Sequence, residues 1–185
     1  MKKLLVTVCG LLLAAGVQAA EVGGVKLADK ASVGGQELVL NGAAVRTKAI
    51  FKVYVGSLYV PAKATTLAGV LEKGPRRFQL NILRSLSADQ LVDALTDGLK
   101  DNTSAAELTT LKPQVDQLVS TMKSLGDVKE GDVVTLDFVD GATKIGLNGT
   151  ARGSIAGEPF NRVLTRIWLG DNPVQADLKK AMLGG

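Results

Sequence analysis

Histidine is absent from the 185 residues, and Cys9 is the single cysteine. Because histidine is the commonest general base and the commonest metal ligand, its absence excludes a His-dependent catalytic triad, a His-based zinc site and a His-ligated haem. One cysteine is too few for a Cys₄ zinc site, an iron–sulfur cluster or an internal disulfide. We therefore expect no metal and no other cofactor.

The sequence also has little excess charge and few aromatic residues. Lys and Arg number 22 against 18 Asp and Glu, no basic run is longer than two residues, and aromatics make up 4%. A nucleic-acid interface needs a basic patch or stripe, so we expect no nucleic-acid partner. Apolar residues make up 46%, too many for a disordered chain, and the length suits one domain.

Residues 1–19 have the layout of a secretory signal peptide. A basic start, Met1-Lys2-Lys3, precedes an apolar stretch that is too short for a permanent span, and Val17 and Ala19 suit a cut after Ala19. We predict that cleavage leaves residues 20–185 as a single periplasmic or secreted domain with no stable membrane span. The alternative is that the segment is retained as an N-terminal anchor.

Strand patterns dominate the first part of the mature chain. Asn41-Gly42 is typical of a tight turn. After it, β-branched and aromatic residues predict one long extended segment over 45–60. Alternating apolar residues predict a further strand over 76–83 and a meander of strands over 134–155.

The middle and the end of the chain have helical patterns. Ser87-x-x-Gln90 is a capping box that opens one helix, and Pro113 should kink or restart the helix that follows. Two more helices are predicted over 159–168 and 175–183. Strands, helices, strands and helices without regular βαβ alternation favour the α+β class, with an antiparallel sheet and a layer of helices on one face.

Three side chains are candidates for ligand binding. Arg46 begins the long apolar segment, and an arginine that faces an apolar cleft needs an anion, for which its fork suits a carboxylate. Tyr54 and Tyr59 are five residues apart, so on a regular strand they face opposite sides, and either hydroxyl could help Arg46 hold an anion. The alternatives are a surface arginine at a strand end and two framework tyrosines.

Four segments of the chain carry a family resemblance: Gly42–Arg46, Phe51–Val60, Leu86–Gln90 and Trp168–Lys179. In this order they resemble the chalcone isomerase family, and more closely its secreted bacterial chalcone isomerase-like branch. The resemblance implies an open-faced β-sandwich, which is a large antiparallel sheet with a layer of helices on one face. This expectation agrees with the α+β class that the patterns favour.

The family includes true isomerases, fatty-acid-binding members without activity and members of unknown role. In the isomerases an arginine guides a phenolate onto an unsaturated ketone, with help from a strand Thr, a helix Tyr, a helix Asn and a C-terminal Ser/Thr. Arg46 matches the arginine. The strand Thr falls on Tyr54, and the helix Tyr falls on Leu91. The helix Asn falls on Gly98, and the C-terminal Ser/Thr falls on or near Ile167.

These replacements favour binding over ring closure. Closure needs polar groups to stabilise the developing negative charge, and losing one such donor typically costs about 3 kcal/mol. An apolar cleft that ends in Arg46, with Tyr54 within reach, instead suits a fatty acid or similar amphipathic carboxylate. We therefore predict a small-ligand-binding protein that is monomeric and non-catalytic. The alternatives are an intramolecular lyase of chalcone isomerase type and a scaffold or envelope-maintenance role without a small ligand.

Overall fold

The computed structural model describes residues 20–72 and 74–185. The predicted signal peptide, residues 1–19, lies outside the described residues. The described part forms a two-stranded hairpin and a seven-stranded sheet. The strands are β1 (Ala20–Val22), β2 (Val25–Leu27), β3 (Lys30–Val33), β4 (Gln36–Lys48), β5 (Phe51–Val60), β6 (Arg76–Ile82), β7 (Val133–Val139), β8 (Ala142–Leu147) and β9 (Thr150–Ala156).

The helices begin and end close to where the local patterns place them. Ser87 and Gln90 form the predicted capping box at 3.2 and 3.0 Å. Pro113 lies in the first turn of a new helix, so the predicted break before it is confirmed. The helices are α1 (Leu67–Glu72), α2 (Ala88–Asn102), α3 (Ala105–Thr110), α4 (Lys112–Leu125), α5 (Glu158–Leu169) and α6 (Ala176–Met182).

The large sheet is an antiparallel meander in which β3 to β9 lie side by side in chain order. It is curled, and the helices pack on one side of it. The predicted α+β class, with an antiparallel sheet and a one-sided helical layer, is therefore confirmed. The main apolar core lies between the sheet and the helices, where the Phe78 and Trp168 rings stack with their centroids 4.8 Å apart.

A smaller apolar cluster lies on the opposite face of the sheet. It contains Val33, Leu38, Tyr59 and Val139, all of which are buried. Successive side chains on a strand point to opposite faces of the sheet. The two neighbours of Tyr59 on β5, Leu58 and Val60, belong to the main core, so Tyr59 lies on the other face.

The predicted turn at Asn41-Gly42 is wrong, because β4 runs through both residues. The Asn41 side chain is buried and donates to the carbonyls of Ala64 and Met182 at 2.7 and 2.6 Å. Gly42 is needed for close packing, since a Cβ there would overlap the carbonyl oxygen of Ala181 on α6. Tertiary contacts therefore outweigh the local preference of this dipeptide for a turn.

The turn lies instead at Ala49-Ile50, so the single extended segment predicted over 45–60 is also wrong. Lys48 of β4 pairs with Phe51 of β5, which leaves a two-residue loop between them. Ala49 has a φ of 53°, in the left-handed region that favours glycine or asparagine. Neither loop residue is a typical turn former, so local composition contains no signal for this turn.

Candidate ligand-binding site

Arg46 lies near the end of β4, directly opposite Tyr54 of β5. Side chains of directly opposed residues in an antiparallel pair lie on the same face of the sheet. Here that face is the helical one, since Tyr54 packs against the main core. A register shift between Arg46 and Thr47 interrupts the regular pairing at this point. The structure thus places Arg46 and Tyr54 together at the end of the sheet–helix interface.

Gln175, immediately before α6, holds this irregular stretch of β4. Its Oε1 accepts from the Thr47 backbone N–H at 2.9 Å and from Arg46 Nη1 at 3.4 Å. Its Nε2 donates to the Val45 carbonyl at 3.2 Å. Arg46 also donates to the Thr47 carbonyl. These contacts tie the start of α6 to the backbone around Arg46.

The half-buried guanidinium of Arg46 therefore has neutral oxygen partners. Among residues 20–72 and 74–185, no carboxylate forms a salt bridge with it. Hydrogen bonds between a guanidinium and an ionised acceptor are shorter and roughly twice as strong as neutral ones. An anionic ligand oxygen would therefore form a stronger hydrogen bond with Arg46 than its present neutral partners do.

Tyr54 supplies a second donor on this face. Its hydroxyl oxygen accepts from Trp168 Nε1 at 3.0 Å, and no acceptor for its own proton is found in the described part of the chain. Burial raises the pKa of Tyr54, while the Trp168 hydrogen bond and the Arg46 charge partly oppose this effect. The phenol therefore stays protonated at neutral pH and keeps a hydrogen to donate.

Tyr59 lies on the opposite face of the sheet and is not brought together with Arg46. Its hydroxyl donates to the Ala28 carbonyl at 3.0 Å, and burial raises its pKa. The side chain is 1% exposed, within the smaller apolar cluster.

The space beside Tyr54 on the helical face is occupied by α6. A Cβ on Gly56 would lie 2.9 Å from Met182 Cε, 3.1 Å from Tyr54 Cε2 and 3.4 Å from Leu178 Cδ1. Leu178 and Met182 are both fully buried there. An acyl chain that follows this face of the sheet must therefore displace these two side chains.

Two surface cavities flank the segment between α5 and α6. One, of about 540 Å³, is open to solvent and includes Lys179, Lys180 and Leu183 in its lining. The other, of about 240 Å³, includes Arg166 and Asn102. The predicted ligand-binding residues line neither of these two cavities.

Arg76, the most enclosed cation of the described residues, is not among the side chains that the sequence predicts for the site. It is 1% exposed, its Nη2 donates to Asn161 Oδ1, and its guanidinium lies 4.3 Å from the centre of the Phe138 ring. Burial lowers the pKa of Arg76 to about 10. The signal was present, because Arg76 shares the apolar alternation of Phe78 and Leu80 on β6.

Arg76 is enclosed by protein groups rather than facing an open site. Asn161, its partner on α5, also donates to Thr143 Oγ1 at 2.9 Å. Thr165 Oγ1 donates to Asn161 Oδ1 at 3.4 Å, which extends the buried polar cluster along α5. This cluster joins β6 and β8 to α5, so we assign Arg76 to the framework.

Apolar residues or glycine stand at three positions where the resemblance places polar groups in isomerases. A Cβ on Gly98 of α2 would lie 2.8 Å from Ile167 Cγ2 of α5. Leu91, at the position of the helix Tyr, is 8% exposed, and Ile167 is 1% exposed. The polar groups that would hold a ketone in ring closure are therefore missing from these positions.

The curled antiparallel sheet and its one-sided helical layer define an open-faced β-sandwich protein. The model of the chalcone isomerase-like family matches residues 19–184, and the chain belongs to this family. Comparison with curated proteins finds no match.

Among solved structures, the fold is similar to that of a fatty-acid binding protein of Arabidopsis thaliana, with a TM-score of 0.67. The two sequences are 14% identical, and the match covers 90% of this chain and 96% of that chain. At 14% identity, the structural similarity shows that the two proteins share a fold. None of the helices in residues 20–72 and 74–185 has the length and apolar character needed to cross a bilayer.

Proposed function

We propose that this chain is a non-catalytic member of its family that binds a fatty acid or similar amphipathic carboxylate, with Arg46 as the anion partner. The observation that carries the proposal is the pairing of Arg46, which lacks a carboxylate partner among the described residues, with the free O–H of Tyr54. The fold shared with a fatty-acid binding protein supports it.

The ligand carboxylate is expected at the guanidinium of Arg46. There it replaces a neutral oxygen, either that of the Gln175 side chain or that of the Thr47 carbonyl. The Tyr54 hydroxyl donates a hydrogen bond to the second carboxylate oxygen. Both contacts favour an ionised headgroup, because the donors are one cation and one neutral phenol.

The acyl chain is expected to run along β5 beneath α6. It takes the places of Leu178 and Met182, so α6 must move away from the sheet when a ligand binds. Met182 is a flexible side chain that suits such repacking. Each buried methylene contributes about 0.8 kcal/mol, which offsets the contacts that α6 gives up.

Ring closure receives no support from the positions compared with the isomerases. The contact between Gly98 and Ile167 leaves no polar group where two of the family's donors stand. If the protein is mixed with several hydroxychalcones, we expect absorbance to change no faster than in buffer. If ring closure is faster than in buffer and depends on Arg46, the protein is instead an intramolecular lyase.

Export and membership of the secreted bacterial branch belong to the same proposal. The basic start, apolar stretch and small residues before Ala20 support them. Mass spectrometry of the protein expressed with residues 1–185 is expected to find a chain that begins at Ala20 outside the cytoplasm. An intact cytoplasmic chain would contradict this part of the proposal.

Binding is tested with Arg46→Ala and a matched control, Arg152→Ala, which removes an exposed arginine on β9. Because a hydrogen bond to a charged group contributes about 1.5–3 kcal/mol, Arg46→Ala should bind a labelled fatty acid at least about tenfold more weakly. Arg152→Ala should match the wild type. Lipid extraction and mass spectrometry after gentle purification should find a carboxylate ligand on the wild type. Equal affinity of all three proteins would overturn the proposal.

A further inference from the structure

The tip of the β4–β5 hairpin has two exposed apolar residues at consecutive positions, Ile50 and Phe51. Ile50 is 85% exposed and Phe51 is 52% exposed, the two large apolar side chains most open to solvent in the described part of the chain. Single exposed apolar residues are ordinary, but adjacent ones at a projecting turn form a surface that a partner can cover. The turn itself is ordered by the pairing of Lys48 with Phe51.

Cations surround these two side chains. Lys48 and Lys52 flank them on the hairpin, and both are exposed. The guanidinium of Arg84, beyond the end of β6, lies 4.4 Å from the centre of the Phe51 ring. Within the described residues, none of these three cations takes part in a salt bridge. The hairpin tip, defined as residues 48–52 with Arg84, is therefore both apolar and positively charged.

The charge at the tip belongs to a wider imbalance in this part of the sequence. Residues 38–88 contain eight Lys or Arg residues and one acidic residue, Glu72. The whole chain has 22 basic and 18 acidic residues, so the excess of positive charge is concentrated in the segment that includes β4, β5 and β6. An anionic partner is thus favoured at the tip.

We propose that the hairpin tip docks on an anionic lipid bilayer. Ile50 and Phe51 enter the boundary between headgroups and acyl chains, while Lys48, Lys52 and Arg84 pair with lipid phosphates. Apolar side chains next to cations are the combination that interfacial binding requires, since both terms add at an anionic surface. The interaction is peripheral and reversible, because two apolar side chains bury far less than a membrane span.

Docking at the tip also positions the candidate ligand site. Arg46 lies two residues before Lys48 on β4, so a docked tip brings it close to the lipid headgroups. The inference goes beyond the proposed ligand and does not depend on it, because the tip residues and the lipid surface interact without a bound fatty acid.

The test is co-sedimentation of the purified, processed protein with vesicles of phosphatidylcholine alone or with about a third phosphatidylglycerol. We expect binding to the anionic vesicles, at least about tenfold weaker binding to the neutral ones, and loss of binding in high salt. Ile50→Ser/Phe51→Ser and Lys48→Glu/Lys52→Glu should each weaken binding at least about tenfold. Lys123→Glu/Lys129→Glu changes the net charge equally at exposed positions elsewhere and should bind as the wild type does.

Three outcomes would overturn the inference. The first is failure of the wild type to bind anionic vesicles, and the second is equal binding by tip and control variants. The third is a wild-type dimer that does not bind vesicles and that Ile50→Ser/Phe51→Ser converts to a monomer, which would assign the tip to a second copy of this chain. Fatty-acid binding without vesicles should be unchanged in Ile50→Ser/Phe51→Ser, which leaves the charges near Arg46 as they are, so failure here is distinguishable from failure of the proposed function.

Discussion

Asn41 links three parts of the chain that are far apart in sequence. From β4 it donates to the carbonyls of Ala64 and Met182, and its Oδ1 accepts from the Ala64 backbone N–H at 2.8 Å. Its side chain is 2% exposed, so water does not replace these bonds. One amide thus holds the loop before α1 and the end of α6 against the sheet.

Asn41→Ala should therefore destabilise the protein strongly. It leaves buried backbone groups at residues 64 and 182 without partners, and each such group costs about 1–3 kcal/mol. We expect the free energy of unfolding, measured by urea denaturation, to fall by about 3 kcal/mol or more. Gln36→Ala, at an exposed position on the same strand, should change it by less than about 0.5 kcal/mol. A similar small change for Asn41→Ala would refute this role.

Single residues also show where sequence patterns are informative about the site. Arg46 is conspicuous because it begins an apolar segment, and the structure places it on the helical face with Tyr54. Tyr59 falls on the opposite face, as strand alternation requires. The partnership with Gln175 spans more than a hundred residues of sequence, and no local pattern contains it.

At the scale of elements, α6 is the helix on which the proposed site depends. It packs directly against β4 at Gly42, where a side chain would overlap the Ala181 carbonyl, and its Leu178 and Met182 cover β5 at Gly56. Its seven residues make a helix too short to be stable alone. Contacts with the sheet therefore hold α6 in place.

Gly42→Ala tests this dependence. The new methyl group forces α6 away from β4, and such overpacking typically costs about 1–3 kcal/mol. Backbone amides of residues 176–182 should exchange with solvent faster, as hydrogen-exchange mass spectrometry can measure. Gly69→Ala adds the same methyl group within helix α1 and should leave exchange in α6 unchanged. Unaltered protection of α6 in Gly42→Ala would show that the helix does not rest on this contact.

Helices and their ends were predictable because their signals are local. Ser87 caps through a residue three positions away, and Pro113 acts on its own turn. The hairpin of β4 and β5 was not predictable in the same way. Asn41-Gly42 has the composition of a turn, but both residues lie within β4 and pack against other parts of the chain. The turn is formed by Ala49-Ile50, whose composition is not typical of a turn.

At the scale of the whole molecule, the order of elements was sufficient to predict the architecture. Strand patterns without βαβ alternation favour antiparallel pairing, and one apolar stripe per helix favours a helical layer on a sheet. The observed meander with helices on one side follows from these two facts. The packing of α6 over the site was not predictable, because it depends on contacts between the two ends of the chain.

The central claim is that Arg46 holds an ionised carboxylate. Its most direct test is carbon-13 NMR of a carboxyl-labelled fatty acid bound to the protein while the pH is lowered. A nearby guanidinium lowers the pKa of a carboxyl group, so the wild-type complex should keep an ionised headgroup below the ordinary titration range of about pH 4 to 5. The headgroup bound to Arg46→Ala should protonate at a higher pH than that in the wild type. Identical titrations of the headgroup in the two proteins would contradict the account.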